Sequence, residues 1–174
     1  MKELIITKLQ SLLDAEICDR LFRDYMSWLI KELFATHQIK ITPEQEESLH
    51  RHFREEWPSM IEGKGGIYLA TLDGIPSGVC SLKPISDLEV ELKRFYVSPD
   101  CRGNGVGKQL IELALQEAAQ MGYQITRLET FAFMEIAVKM YKSYGFEEVE
   151  AFKGFEGATH GTGAVEIFMI KQNY

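Results

Sequence analysis

The sequence has little of what disulfide-framed, membrane-spanning or nucleic-acid-binding proteins are made from. Cysteine occurs only at Cys18, Cys80 and Cys101. The number is odd and no pair has C-x-x-C spacing, so neither a disulfide framework nor a zinc site is indicated. No apolar run approaches the length that crosses a bilayer. The opening stretch MKELIITKLQSLLDAE lacks a long apolar core and a small-residue cleavage site, so it does not read as a secretory signal. Basic residues are in the minority, with 19 Lys and Arg against 26 Asp and Glu and a formal charge of -7. A nucleic-acid partner normally demands a basic excess, so that class is disfavoured, whereas an acidic surface concentrates cations, amines among them. No repeat, low-complexity tract or Pro/Ser-rich linker divides the 174 residues, which fit one domain over 1–174. A cytoplasmic protein is expected.

What is present is the balance of an ordinary globular chain, 45% hydrophobic and 26% charged. A short strand at residues 4–7 precedes a helical region over 14–34, where Leu21, Tyr25, Trp28, Leu29 and Leu33 recur at helical spacing. Thr42-Pro43 is a good N-cap and first-turn pair for a second helix carrying Leu49, Phe53, Trp57 and Met60, and Gly65-Gly66 stops it. GIYLATL and PSGVCSL form a hairpin about Asp73-Gly74, and a third strand runs over 88–97. A helix is expected over 103–121, a strand at ITRLET, and a helix over 136–144 closed by Gly145. FEEVE and AVEIFMI read as final strands separated by the Gly-rich stretch 154–163, a lid over the site or a long connection. Strands that precede, alternate with and follow helices imply an α/β domain with a mixed sheet of six or seven strands flanked by helices.

The most informative stretch is ELKRFYVSPDCRGNGVGKQLIELAL, a strand that enters a glycine-rich turn opening directly into an amphipathic helix. Gly103, Gly105 and Gly107 let backbone N–H groups converge at a helix N-terminus, which attracts an anion such as a pyrophosphate. The P-loop pattern fails at Arg102 and Gln109, and the dinucleotide fingerprint fails at Lys108. What remains is R-x-x-G-x-G at Arg102, Gly105 and Gly107, a common pattern when alone.

Here it is not alone. The stretch resembles the coenzyme A-binding motif of the GNAT N-acetyltransferase superfamily, together with E-L-K-R-F-Y-V at 91–97 and A-x-x-x-Y-x-x-x-G-F at Ala137, Tyr141, Gly145 and Phe146. F-R-x-Y-x-x-W-L at 22–29 and R-L-E-T at 127–130 are similar to a bacterial subgroup of small GNAT enzymes. The resemblance spans nearly the whole chain and implies the single-domain acyl-CoA N-acyltransferase fold. It also implies acetyl-CoA as cosubstrate, with no metal, and acetyl transfer to a small-molecule amine. Coenzyme A would be met by the strand at Phe95, Tyr96 and Val97 and by the loop Arg102, Gly103, Asn104, Gly105, Val106, Gly107 and Lys108. One departure is Met134, where many superfamily members place an Asn that contacts the cofactor or its bound water.

The chemistry defines what else is needed. An alkylamine is only about one part in 2,500 neutral at pH 7, a handicap of about 4.6 kcal/mol, so a general base helps. Glu91, on the strand leading to the loop, is the candidate, with Glu89 in reserve; the alternative is a strand glutamate paired with Lys93 or Arg94. The oxygen that gains charge needs an oriented N–H donor. Tyr141 is the candidate proton donor to the leaving thiolate, against the alternative of a tyrosine packed on the sheet. His50-x-His52 has neither helical metal-pair spacing. Other functions compatible with this pattern are acetylation of a protein N-terminus or lysine, and non-catalytic binding of acyl-CoA. The sequence is compatible with a homodimer.

Overall fold

The computed structural model describes residues 2–153 and 162–173. The elements run β1 (Leu4–Lys8), α1 (Leu12–His37), α2 (Pro43–Ile61), β2 (Gly66–Leu72), β3 (Ile75–Pro84), β4 (Glu89–Val97), α3 (Val106–Gln120), β5 (Ile125–Phe131), α4 (Glu135–Ser143), β6 (Glu147–Val149) and β7 (Glu166–Gln172). They form one seven-stranded sheet of order β1-β2-β3-β4-β5-β7-β6, in which only the β4–β5 pair is parallel. The sheet and its flanking helices are those anticipated from the sequence. The Gly-rich stretch falls largely on residues 154–161, outside the described residues. Among the described residues no helix is long and apolar enough to cross a membrane.

Local chemistry explains the element ends. The Ser11 hydroxyl accepts the Asp14 N–H and starts α1. Thr42 and Gln45 form a reciprocal capping box at the start of α2, with Pro43 in its first turn. Asp73 and Gly74 take φ of 52° and 77°, the left-handed pair that a tight β2–β3 hairpin requires. The sequence pattern placed the start of α3 at residue 103, but helix begins only at Val106. Gly103 and Gly105 hold φ of 78° and 81° and keep the preceding loop out of helical conformation.

Helices α3 and α4 cover one face of the sheet, where Leu110, Ile111 and Tyr141 pack with Val90, Leu92 and Leu128. Helices α1 and α2 cover the other, where Phe22, Phe53 and Trp57 pack against Ile67 and Val79. A third, smaller cluster joins Met26, Leu29 and Leu33 of α1 to Leu49 of α2 and Phe131 of β5. The approach of α3 to the sheet depends on Gly78. A Cβ there would lie 2.8 Å from Val106 Cγ1, 3.0 Å from Leu110 Cδ1 and 3.1 Å from the Tyr96 carbonyl oxygen.

Gly78→Ala is therefore expected to destabilise the fold by about 1–3 kcal/mol through overpacking against a β-branched side chain that has little freedom to yield. Denaturant midpoints at constant m-value measure it. An unchanged midpoint would show that α3 can move outward without loss.

Candidate active site

The parallel ladder between β4 and β5 holds only from Glu89↔Ile125 to Leu92↔Leu128. Beyond it β5 continues to pair with β7, and β4 continues to pair with β3. Among the described residues, β4 thus runs on past the end of its ladder with β5, and the sheet opens as a fork. A bulge makes the turn. Arg94 has a φ of 53°, rare for a non-glycine residue, and the β3–β4 register shifts between Val79 and Ser81.

The bulge also changes which way β4 faces. Before it, Glu91 and Lys93 point to the α1/α2 side, where Lys93 Nζ lies 3.3 Å from Glu56 of α2. After it, Phe95 and Val97 pack on the α3/α4 side, and Tyr96 joins the α1/α2 core. The three residues expected at a cofactor therefore form the strand just beyond the fork.

The loop that follows ends at the N-terminus of α3. Arg102 Nε donates to the Val97 carbonyl at 3.2 Å, and Asn104 Nδ2 donates to the carbonyls of Cys101 and Arg102 at 3.1 and 3.2 Å. No side chain caps α3, and its first turn holds no acidic residue. By contrast, α1 and α2 have side-chain caps and first-turn acids. The first N–H groups of α3 lack intrahelical acceptors, and the helix dipole favours an anion there. Gly107 is informative because the fold alone does not require it: its φ is not left-handed, and a Cβ would make only ordinary contacts at 3.7–3.9 Å with Val97 and Phe95. Its missing side chain leaves the first turn bare, which suits the backbone for close approach by a pyrophosphate such as that of coenzyme A.

Glu91 is 5% exposed and fixed from both sides. Arg127 donates from Nε and Nη2 to Glu91 Oε2 at 3.0 and 2.9 Å, and Lys93 Nζ lies 3.6 Å from Oε1. The two partners are opposite each other in the last rungs of the parallel ladder. Glu89, in reserve, lies 4.0 Å from the same Arg127 and is more open to solvent. The chain of charges continues from Lys93 to Glu56 and from Glu56 to Lys83. Sequence reasoning noted Arg127 only as a motif residue, because the pairing of β4 with β5 has no local signal.

Tyr141, on α4, is 6% exposed between Phe95 and Phe146, with ring centroids 6.0 and 5.7 Å away. Burial pushes its phenol well above the ordinary tyrosine range, and the Tyr25 phenol across the sheet adds to the shift. The shift holds the phenol in its neutral form and makes it a weaker acid than an exposed tyrosine. Tyr144 instead faces outward and donates to Glu112 at 3.0 Å. Met134 stands at the uncapped start of α4, where its sulfur accepts from Thr130 Oγ1 at 3.6 Å. Among the described residues no group of three or more His, Cys, Asp or Glu side chains is placed to hold a metal.

On the α1/α2 side of the fork lies a cleft of about 90 Å³. It is lined by Tyr25, Met26 and Leu29 of α1, by Glu91 and Lys93 of β4, and by Glu129 and Glu166 from β5 and β7. The candidate features thus lie around the opening of the sheet: Glu91 at the base of the fork, the α3 terminus after the end of β4, Tyr141 on one face and the cleft on the other.

Comparison with known proteins agrees with this geometry. Residues 22–146 match the family model described as the acetyltransferase (GNAT) family. An uncharacterized N-acetyltransferase of Escherichia coli is 33% identical over 108 residues, which cover 62% of this chain and 58% of the relative. The chain spans about half the length of the curated relatives it matches. Among solved structures, the PaiA N-acetyltransferase of Thermoplasma acidophilum in complex with coenzyme A superposes with a TM-score of 0.71 at 21% identity, covering 98% of this chain and 99% of that one. YncA from Salmonella typhimurium, with its cofactor acetyl-CoA, gives 0.66 at 14% identity, covering 98% of this chain and 94% of that one. At these identities the structural likeness establishes the fold.

Gly107→Ala separates folding from anion binding. Alanine in the first helical turn is expected to leave the unliganded protein as stable or up to about 1 kcal/mol more stable. The same change is expected to weaken coenzyme A binding at least about tenfold, or 1.4 kcal/mol, as measured by calorimetry. Unchanged affinity would remove the α3 terminus from the site.

Proposed function

The chain belongs to the acetyltransferase (GNAT) family, and on that premise we propose that it transfers acetyl from acetyl-CoA to the amine of a small molecule by direct attack. The observation that carries the reading is the fork: among the described residues the β4–β5 ladder ends at Leu92, and β4 runs on to a helix N-terminus with no side-chain cap and no first-turn acid. An extended ligand arm with amide groups pairs with such an edge through main-chain hydrogen bonds. In this reading the arm lies along Phe95, Tyr96 and Val97, and the pyrophosphate lies against Arg102, Gly103, Asn104, Gly105, Val106, Gly107 and Lys108.

Acetyl-CoA supplies the acyl group already activated as a thioester. The protein has three tasks. Glu91, held in place by Arg127, takes the proton that the amine loses, directly or through water. Backbone N–H groups of β4 beyond the ladder stabilise the oxygen that gains charge. Tyr141 gives its proton to the departing sulfur, a transfer driven by the charge that develops on the sulfur and opposed by the burial that raises the phenol's pKa. The acceptor occupies the cleft beside Glu91.

The direct test is release of coenzyme A thiol from acetyl-CoA across a panel of amines. With a good acceptor, Tyr141→Phe is expected to reduce kcat near the low end of the roughly 10²–10⁴-fold typical of general acid catalysis, because a thiolate of pKa about 8.5 leaves tolerably unaided. Coenzyme A affinity should stay within a factor of about two, since the ring and its packing remain. Wild-type turnover with chemistry rate-limiting would leave Tyr141 a packing residue.

Glu91→Gln is expected to lower kcat/KM most near neutral pH, with the deficit shrinking as pH rises. An amine with a pKa of about 10.4 becomes neutral by itself over that range, so the base has less to contribute. A pH profile of the ratio to wild type decides it: a uniform deficit assigns Glu91 to positioning, and no deficit removes it from the mechanism.

A further inference from the structure

We infer that Phe152, in the chain just after β6, positions the base: its ring sets the plane of the Arg127 guanidinium and so keeps that group's donors on Glu91. The inference rests on the reading of Glu91 as the base of acyl transfer and adds a positioning residue to it. Arg127 meets a different neighbour on each of three sides. One edge of the guanidinium, Nε and Nη2, donates to Glu91 Oε2 at 3.0 and 2.9 Å. The remaining nitrogen, Nη1, lies 4.0 Å from Glu89. Against the face lies Phe152, with the guanidinium carbon 4.6 Å from the centre of its ring.

Strand register brings Phe152 to this place. β6 is the outer strand and pairs with β7, its last residue Val149 opposite Phe168. Glu129 also lies opposite Phe168, so Phe168 and Arg127 are diagonal neighbours on one face of the β5–β7 ladder. Phe152, three residues past the end of β6, touches both. Its partly buried ring stands 5.5 Å from that of Phe168 at 84°, and the same ring covers Arg127. The side chain therefore reaches back over β7 to β5. The edge-to-face contact with the buried Phe168 fixes the angle at which the ring meets the guanidinium.

The donors of a guanidinium lie in its own plane, so whatever fixes the plane fixes where they aim. Arg127 has a choice of two carboxylates, Glu91 with its side chain 7% exposed and Glu89 with 38%. A turn toward Glu89 would gain an ion pair and water together. It would also take two hydrogen bonds from Glu91 and loosen the carboxylate at the base of the fork. Phe152 opposes that turn, because its ring occupies one face of the guanidinium and keeps water from it. The attraction between cation and ring strengthens as water is excluded. A reacting group displaced by a fraction of an ångström loses rate steeply, so a loosened Glu91 costs turnover.

The test follows thiol release from acetyl-CoA by the full chain with n-butylamine, benzylamine, 1,4-diaminobutane and glycinamide. Phe152→Leu keeps apolar bulk and removes the aromatic face. With the best of these amines it is expected to lower kcat about five- to thirtyfold, while coenzyme A affinity stays within a factor of about two. Phe152→Tyr retains the face and should recover most of that loss. Introduced together with Glu91→Gln, Phe152→Leu should cost less than about a further twofold, because the group it positions is gone. A merely structural role would lower both backgrounds alike. Wild-type turnover in Phe152→Leu, Phe152→Tyr as slow as Phe152→Leu, or an equal loss in both backgrounds overturns this inference and leaves the acyl-transfer reading standing. Glu91→Gln without a deficit removes the base, and this inference with it, while acyl transfer stands. Coenzyme A binding without thiol release to any of the four amines overturns both.

Discussion

The proposed active site depends on one interruption in a hydrogen-bond ladder, the end of β4–β5 pairing after Leu92 among the described residues. A continuous sheet would bury every main-chain group of β4 between two neighbours and leave nothing to meet a ligand. The interruption has a local cost, since a non-glycine residue in left-handed conformation costs about 1–2 kcal/mol. Arg94 bears it, with its guanidinium packed over Phe53. Without the bulge, strict alternation would send Glu91, Lys93, Phe95 and Val97 to one face. With it, the charged pair lines the cleft and the apolar pair packs under α3.

The second constraint is the run of charges Lys83, Glu56, Lys93, Glu91 and Arg127, mostly buried, which ties α2 to β3, β4 and β5. Breaking a buried pair by removing one partner typically costs about 3–5 kcal/mol. The run therefore acts as a brace that fixes the floor of the cleft relative to the helix pair above it. Its last link, Arg127 to Glu91, lies at the base of the fork, where the ladder ends and extra cohesion between the strands matters most. In the proposed mechanism, catalytic geometry and fold stability are thus held by the same side chains.

Much of the architecture was legible because its signals are local. Thr42-Pro43 started a helix, Asp73-Gly74 turned a hairpin, and the glycines at 103, 105 and 107 marked the loop before α3. Where α3 begins was misjudged by three residues, because conformational freedom in a glycine does not say which way the chain uses it. The motif around Tyr141 gave its place on a helix but not the partners that enclose it. The fork itself was invisible. Its bulge falls on an arginine, which has no preference for that conformation, and the meeting of Glu91 with Arg127 requires two strands 36 residues apart to align. The cleft was hidden for the same reason, since Glu129 and Glu166 read as alternating strand residues until the register of β5 and β7 is known.

The fork also bears on how such a sheet avoids edge-to-edge association. Unpaired strand edges invite other chains to add on, and proteins usually protect them with charge, brevity or a covering element. Here the outer edges follow that practice: β6 is three residues long and begins with two glutamates, and β1 is five residues ending in a lysine. The inner edge on β4 is protected differently. Its neighbours on either side are strands of its own sheet, and helices pack on both faces, so no foreign sheet can lie alongside it. Main-chain donors and acceptors stay open to a slender guest while closed to a folded one. The last three residues of β4, Phe95, Tyr96 and Val97, carry no charge, so position within the sheet rather than a gatekeeping charge protects that stretch.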